Sequence, residues 1–230
     1  MTHLVLLPGM DGTGLLFSQF AAALGGSVNP VIIDYPPTQA LDYTQLETYV
    51  RERLPTDTPF VLLGESFSGT VAISIAANPP RNLTGLILCC SFARNPRPSV
   101  AVLKPVTRWL PGLRSATLAS PLLLGAWSTP DLRKQLASAL ALVSPNTLRA
   151  RLRAIFDVDT TDALRHVRIP ILYLQVTHDR AVSGKASRLV ASLAPQTRIA
   201  SVTGPHMLLQ AAPAAAAAIV TKFVEQACSL

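Results

Sequence analysis

The chain contains 230 residues, of which 49% are hydrophobic and 14% are charged. This length suits one domain with a full core, and the composition excludes an intrinsically disordered chain. No apolar stretch approaches the length of a membrane-spanning helix, so we expect no stable membrane insertion. The first apolar block, residues 4–7, has no basic region ahead of it and predicts a strand rather than a signal peptide.

Cysteine usage and charge point to the surroundings of the protein. The three cysteines, Cys89, Cys90 and Cys228, have the spacing of neither a disulfide framework nor a metal site. We therefore expect a reducing, cytoplasmic location and no bound metal. The net charge of +7 is concentrated in residues 92–168, which carry twelve Lys or Arg and four Asp or Glu. This basic segment has no recognised nucleic-acid-binding motif, so we expect no nucleic acid partner.

Short apolar runs alternate with helical patterns along most of the chain, which is typical of βα units around a parallel sheet. The six predicted strands are residues 3–7, 30–33, 59–63, 85–90, 170–176 and 197–202. Thr44 and Glu47 form a capping-box pattern that predicts a helix ending at Pro55. The last helix is expected to begin at Pro213.

Residues 92–168 interrupt this alternation, because seven prolines divide them and no convincing strand pattern occurs. Several short helical patterns lie between the prolines. The sequence therefore predicts an α/β core made of residues 1–91 and 169–230. Residues 92–168 are predicted to be a helical cap inserted between the fourth and fifth strands.

A serine lies at the apex of a predicted strand, turn and helix. The apolar run of the third strand ends at Gly64, Ser66 follows, and Ser68 and Gly69 provide small neighbours. A sharp turn of this kind needs small flanking residues, and it holds the serine hydroxyl above the sheet edge beside a helix N-terminus. The alternative is a tight turn with an incidental serine, and this pattern alone does not separate the two.

A glycine-rich loop, LPGMDGTG at residues 7–14, follows the first strand. The backbone N–H groups of such a loop can stabilise an oxyanion or bind phosphate. The loop lacks the Gly-Lys-Ser/Thr ending of a P-loop and the glycine spacing of a dinucleotide site. The oxyanion role is therefore favoured.

Two further polar residues follow the fifth and sixth predicted strands. Asp179 comes directly after the fifth strand, where it can orient a histidine or simply cap the next helix. His206 lies between the sixth strand and the last helix. His178 is an alternative base, but it is poorly placed to bridge an acid and a nucleophile because it adjoins the acid. The resulting order along the chain is Ser66, Asp179, His206.

The loop at 7–14, together with GESFSG at 64–69, THD at 177–179 and GPHMLL at 204–209, resembles the α/β-hydrolase superfamily over nearly the whole chain. The N-terminal hairpin common in this family is missing here, so we expect a minimal six-stranded parallel sheet. A serine nucleophile with a positioned base needs no cofactor, and we expect none. The resemblance implies that Ser66 is the nucleophile, His206 the base and Asp179 the orienting acid. It also implies that the backbone N–H groups of Met10 and Phe67 form the oxyanion hole. Ser68 departs from the family pattern, which usually has a second glycine there.

The expected substrate is a small-molecule carboxylic ester with a small to medium acyl group, bound in an apolar pocket under the cap. Phe92, Trp109 and Met207 are the candidate substrate contacts. The alternative reading for each is ordinary packing within the protein.

Three alternatives to a general esterase remain open. The chain is loosely similar to esterases that demethylate pimeloyl groups on acyl carrier protein, which predicts an acidic carrier at the basic cap. The arginines expected to contact it are Arg94, Arg97, Arg108, Arg114, Arg149, Arg151 and Arg153. The alternative for these arginines is a solvated basic face that keeps the protein soluble. The loop at 7–14 is also similar to that of acyltransferase-like relatives that make phytyl esters. A non-catalytic ligand receptor on the same fold is the third alternative.

Overall fold

A parallel sheet of six strands forms the centre of the protein, as seen in a computed structural model that describes residues 2–99 and 114–228. Its strands are β1 (His3–Leu7), β2 (Asn29–Ile32), β3 (Phe60–Glu65), β4 (Leu83–Cys89), β5 (Ile171–Val176) and β6 (Thr197–Val202). They lie in the order β2-β1-β3-β4-β5-β6, and every neighbouring pair is parallel. The predicted six-stranded parallel sheet is confirmed, with strand ends that shift by at most two residues.

The central strand β3 is buried along its whole length, since helices cover both faces of the sheet. Strands of this kind read as continuous apolar runs rather than as an alternating pattern, as residues 60–63 do. The helices are α1 (Ser18–Ala23), α2 (Tyr43–Arg51), α3 (Gly69–Ala77), α4 (Ala116–Leu123), α5 (Pro130–Leu142), α6 (Pro145–Asp157), α7 (Thr161–His166), α8 (Lys185–Leu193), α9 (Leu208–Ala211) and α10 (Pro213–Ala227). Side chains of α2, α3, α7 and α8 pack in the core on one face, and those of α1, α9 and α10 pack on the other.

The predicted capping box of α2 is wrong by two residues. Asp42 is the N-cap, its side chain accepts from the Gln45 N–H at 2.8 Å, and Gln45 accepts from the Asp42 N–H at 3.0 Å. Glu47 instead pairs with Arg51 one turn later. Both patterns fit the same short sequence, and an aspartate N-cap is at least as favourable as threonine.

Helices α4, α5 and α6 lie between β4 and β5 in the chain, and their apolar side chains form a separate cluster with Leu16 and Met207. Two of the prolines that divide this segment begin helices. Pro130 and Pro145 occupy the first helical position, after the side-chain caps Thr129 and Ser144. Helix α7 differs from them, because its Leu164 packs in the main core against the sheet.

None of the described helices has the length and apolar character needed to cross a membrane.

Candidate active site

Ser66 lies at a sharp turn between β3 and α3, as the sequence indicated. Its φ angle is +49°, and residues 66–68 form a single 3₁₀ turn. Gly64 is required here because an added Cβ would lie 2.7 Å from the Ser68 carbonyl oxygen and from the Gly69 Cα. The Ser91 hydroxyl donates to the Ser66 carbonyl oxygen at 2.6 Å and helps to hold this left-handed backbone.

The three residues chosen from the sequence form one hydrogen-bonded chain. The Ser66 Oγ lies 2.8 Å from the His206 Nε2. The His206 Nδ1 lies 3.0 Å and 2.9 Å from the two carboxylate oxygens of Asp179. His206 is buried, and the side chain of Asp179 is only 9% exposed. In this arrangement a neutral imidazole can accept the serine proton while its other nitrogen donates to the carboxylate.

Asp179 also fixes its own loop. Its Oδ1 accepts from the Ala181 and Val182 N–H groups at 2.8 Å and 2.7 Å. Asp179 therefore contacts the histidine and also holds the turn that follows it. The alternative that it caps the next helix is wrong, because α8 begins at Lys185 with Gly184 as its N-cap and no side-chain cap. The alternative base, His178, is exposed and contacts the Thr177 hydroxyl and the Trp127 ring instead.

Two predicted backbone donors lie beside the serine. Phe67 directly follows Ser66, and its buried ring stacks on Tyr43 at 4.7 Å between centroids. Met10 lies in the loop after β1 and lines the same cavity as Ser66 and His206. Both residues are therefore within the neighbourhood where an oxyanion would form.

An apolar cavity of about 370 Å³ opens onto Ser66 and His206. Phe92 and Met207, two of the three predicted substrate contacts, line it, while Trp109 lies outside the described residues. The apolar lining also includes Leu16, Leu136, Leu140, Ile155 and Phe156. Most of these side chains come from the helices between β4 and β5, so that segment forms much of the cavity wall.

Sequence reasoning missed a buried carboxyl group beside Ser66. Glu65 lines the cavity, and its Oε1 accepts from the Gln210 Nε2 at 3.0 Å. Burial raises the pKa of Glu65 to about 7, partly offset by the hydrogen bond from Gln210. An acidic residue within an otherwise apolar strand was the only signal in the sequence.

Cys90, Asp179 and His206 each place one possible metal-ligand atom within 4.8 Å of the others. The Asp179 and His206 atoms are already engaged with each other. The hydrogen bond with Cys89, together with burial, raises the pKa of Cys90 well above its usual value, which disfavours the thiolate that a metal would need. Hydrogen bonding therefore accounts for the closeness of Asp179 and His206.

One of the predicted docking arginines is misplaced. Arg151 is only 1% exposed, and its guanidinium contacts backbone carbonyls of the loop after β1. It lies on the inward face of α6 with Leu148 and Ile155, at helical spacing, and that position was the signal of its burial. A buried side chain cannot dock a carrier.

Comparison with known proteins identifies the family of this chain and two of its relatives. The model of the family described as "Alpha/beta hydrolase family" matches residues 4–219. The chain is similar to the pimeloyl-[acyl-carrier protein] methyl ester esterase of Vibrio parahaemolyticus, with 27% identity over 218 residues, 85% of this chain and 83% of that protein. The protein of the same name from Vibrio campbellii is 28% identical over 215 residues, with the same two coverages.

Solved structures share the fold. An enol-lactonase from Burkholderia xenovorans LB400 superposes with a TM-score of 0.81 at 19% identity, covering 100% of this chain and 92% of that chain. An esterase from Exiguobacterium antarcticum gives a TM-score of 0.84 at 15% identity, covering 98% and 92%. At these identities the likeness shows the fold alone, and it confirms the architecture that the four motifs predicted.

Proposed function

Because this chain belongs to the alpha/beta hydrolase family, we propose that it is a serine esterase whose nucleophile is Ser66, with His206 as base and Asp179 as orienting acid. The observation that carries the proposal is the 2.8 Å contact between the Ser66 Oγ and the His206 Nε2, continued by the contact of the His206 Nδ1 with Asp179. Serine needs such a positioned base because its hydroxyl is a weak nucleophile on its own.

The reaction would proceed in two steps through an acyl-enzyme. The Ser66 Oγ attacks the ester carbonyl carbon while the His206 Nε2 takes the hydroxyl proton. The imidazolium, stabilised by Asp179, then gives that proton to the departing alkoxide, and the C–O bond of the ester breaks. Water then attacks the acyl-enzyme while His206 takes its proton. The imidazolium gives that proton to the Ser66 Oγ as the bond from this oxygen to the acyl carbon breaks, which releases the acid.

The N–H groups of Met10 and Phe67 would bind the oxyanion that forms in each step. Removal of one such donor typically costs roughly 10²–10³-fold in kcat. Met10 lines the cavity and Phe67 adjoins the nucleophile, which supports this assignment.

The size and the apolar lining of the cavity support a substrate with an apolar acyl group of small to medium size, with Phe92 and Met207 among its contacts. Its volume of about 370 Å³ falls near the lower end of the usual range for ligand pockets, roughly 300–1,000 Å³. Trp109 remains a candidate contact on sequence grounds only.

A carrier-linked methyl ester is the second candidate substrate, favoured by the names of the two Vibrio relatives. Arg94, Arg97 and Arg114 are exposed and can meet an acidic carrier, and Arg97 also lines the cavity. Electrostatic docking weakens with salt, because exposed charges are screened. Raising the salt should therefore reduce turnover of a carrier-bound ester while leaving a small neutral ester nearly unaffected.

The test is hydrolysis of p-nitrophenyl esters of increasing acyl length by the wild type, Ser66→Ala and His206→Ala. We expect a maximum at one chain length and loss of turnover in both variants. An added alcohol distinguishes acyl transfer, since a new ester would then accumulate. Wild-type protein that is folded yet turns over neither these esters nor a carrier-bound methyl ester would overturn the esterase proposal.

The cytoplasmic location and the division into core and cap at residues 92–168 stay predictions.

A further inference from the structure

The loop after β1 has an unusually complete set of backbone partners. Five consecutive carbonyl oxygens, those of residues 8–12, each accept a hydrogen bond. Pro8 accepts from the Ser68 hydroxyl, Gly9 from the Gly12 N–H at 3.0 Å, Met10 and Asp11 from the Arg151 Nη1 at 3.1 Å and 2.7 Å, and Gly12 from the Tyr35 N–H at 2.7 Å. The five peptide planes that carry these carbonyls are therefore held in direction by hydrogen bonds.

Arg151 donates two of these five bonds from helix α6. It is 1% exposed, and its Nη2 also donates to the Pro36 carbonyl oxygen at 3.1 Å. Its guanidinium carbon lies 5.6 Å from the centre of the Tyr35 ring. Burial of a cation is costly, and a hydrophobic side chain of similar volume is often as stable. A role beyond stability would account for an arginine at this position.

The loop and the arginine fit each other closely. Gly12 has a φ angle of +71°, and an added Cβ would lie 2.4 Å from the Arg151 Nη1. The guanidinium thus occupies the space that any side chain at position 12 would need. This mutual fit holds the Met10 and Asp11 carbonyls toward α6.

The orientation of one peptide group follows directly. The Gly9 carbonyl oxygen faces the Gly12 N–H, so the Met10 N–H of the same trans peptide points the opposite way. Gly9 and Met10 both line the cavity that holds Ser66 and His206. Rotation of this peptide would break the bond between Gly12 and Gly9, and Arg151 holds the next two peptide planes by charge-assisted bonds, which keeps the Gly12 N–H in place to make that bond.

We propose that Arg151 is a positioning residue that preorganises the Met10 N–H for the oxyanion, so that helix α6 completes the catalytic centre. This inference rests on the proposed function, because it assigns a device to the same site. Donors that are already oriented require no reorganisation as charge develops, and their benefit therefore appears in the transition state. Arg151 should therefore contribute little to the binding of a ligand that forms no oxyanion in the site.

The experiment compares Arg151→Gln and Arg151→Lys with Arg133→Gln, the same exchange at an exposed arginine of α5. The readouts are kcat and KM for the best p-nitrophenyl ester, and inhibition by a matched pair of ketones. A trifluoromethyl ketone forms an oxyanion adduct with the serine, and the methyl ketone of the same chain does not. Thermal melts identify the folded fraction of each variant.

We expect Arg151→Gln to lower kcat by roughly 10–100-fold, with KM changed less than about threefold, since it weakens one preorganised donor without removing it. The trifluoromethyl ketone should lose affinity by a similar factor, whereas the methyl ketone should not. Arg151→Lys should retain intermediate activity, because lysine keeps the charge without the planar fork. Arg133→Gln should match the wild type.

Two failures can be told apart. If the wild type lacks Ser66-dependent turnover, the proposed function falls and this inference falls with it. If the wild type is active and folded Arg151→Gln keeps its kcat and its preference for the trifluoromethyl ketone, only the inference is overturned. Should Arg151→Gln not fold, the same two readouts on Arg151→Lys decide the question.

Discussion

The Ser68 hydroxyl lies 2.6 Å from the Tyr35 hydroxyl and also donates to the Pro8 carbonyl oxygen. A serine has one proton to donate, so Tyr35 must be the donor in the first of these bonds. Ser68 occupies the position where the family pattern usually has a second glycine. The serine is therefore not merely small enough for the turn, because it joins the turn at Ser66 to the segments that follow β1 and β2.

Loss of the Ser68 hydroxyl should destabilise the protein. Ser68→Ala leaves two buried polar groups without this partner, and we expect the free energy of unfolding to fall by about 1–3 kcal/mol. Tyr35→Phe should cost a similar amount. Urea denaturation of both variants and of the double variant measures their coupling. Strictly additive effects would contradict the direct contact, because residues in contact normally show a coupling energy.

Glu65 should make stability depend on pH. Its pKa is raised to about 7 by burial, from an ordinary value near 4.5 that applies in the unfolded chain. The folded state therefore binds more protons between these values, and stability falls as the pH rises. The contribution is fully present below about pH 4.5 and is lost as the pH passes 7. Its size is roughly 3 kcal/mol at most, since one pKa unit corresponds to 1.36 kcal/mol.

Glu65→Gln provides the matched control for this effect. Glutamine is neutral at every pH, so the variant should lack the decline in stability that Glu65 causes in the wild type. Urea melts at half-unit steps from pH 4.5 to pH 8 give the two curves, and their difference isolates Glu65. A difference that does not change with pH would show that the carboxyl group titrates normally.

We expect Asp179 to have two roles that two different substitutions can separate. Asp179→Asn keeps a side-chain oxygen that can accept from Ala181 and Val182, but it removes the charge that faces His206. We expect kcat to fall by on the order of 10³–10⁴-fold, as for a triad acid elsewhere, with a small change in stability. Asp179→Ala should lose the turn as well and cost about 1 kcal/mol more. The paired measurements are ester turnover and thermal melting. Equal stability of the two variants would argue against a contribution of Asp179 to the stability of this turn.

The sequence predicted the inner strands β1, β3, β4 and β5 well, because buried parallel strands produce largely continuous apolar runs. Ser66, Asp179 and His206 were found for a related reason. The carboxyl ends of parallel strands meet at one edge of the sheet, so polar residues after β3, β5 and β6 converge there. Only the order of the strands along the chain is needed for this argument.

The contacts that were missed depend on packing between distant segments. Arg151 lies 140 residues along the chain from Asp11, and nothing local indicates that the two touch. The sequence counted its charge as part of an exposed basic face, whereas the inward side of α6 buries it. The contact between Glu65 and Gln210 could not be predicted either, because Gln210 lies 145 residues further along the chain, after β6.

The turn at Ser66 also allows a test of close packing. Gly69 begins α3, and an added Cβ would lie 1.8 Å from the Ser91 Oγ and 2.5 Å from its Cβ. Gly69→Ala should therefore destabilise the protein by about 1–3 kcal/mol through overpacking. Ser91→Gly removes both of the closest contacts, although it also removes the hydrogen bond to the Ser66 carbonyl.

The double variant distinguishes steric overlap from any other effect of the alanine. If overlap with Ser91 is the cause, Ser91→Gly should cost stability by itself, while Gly69→Ala should cost almost nothing more in the Ser91→Gly background. Gly64→Ala is the contrasting case, because its Cβ would meet backbone atoms of Ser68 and Gly69 at 2.7 Å, and no side-chain exchange can relieve that. Thermal melts of the four proteins in the Gly69–Ser91 cycle, with Gly64→Ala alongside, make the comparison. An unchanged penalty for Gly69→Ala in both backgrounds would show that the turn resists the extra methyl group for a reason other than Ser91.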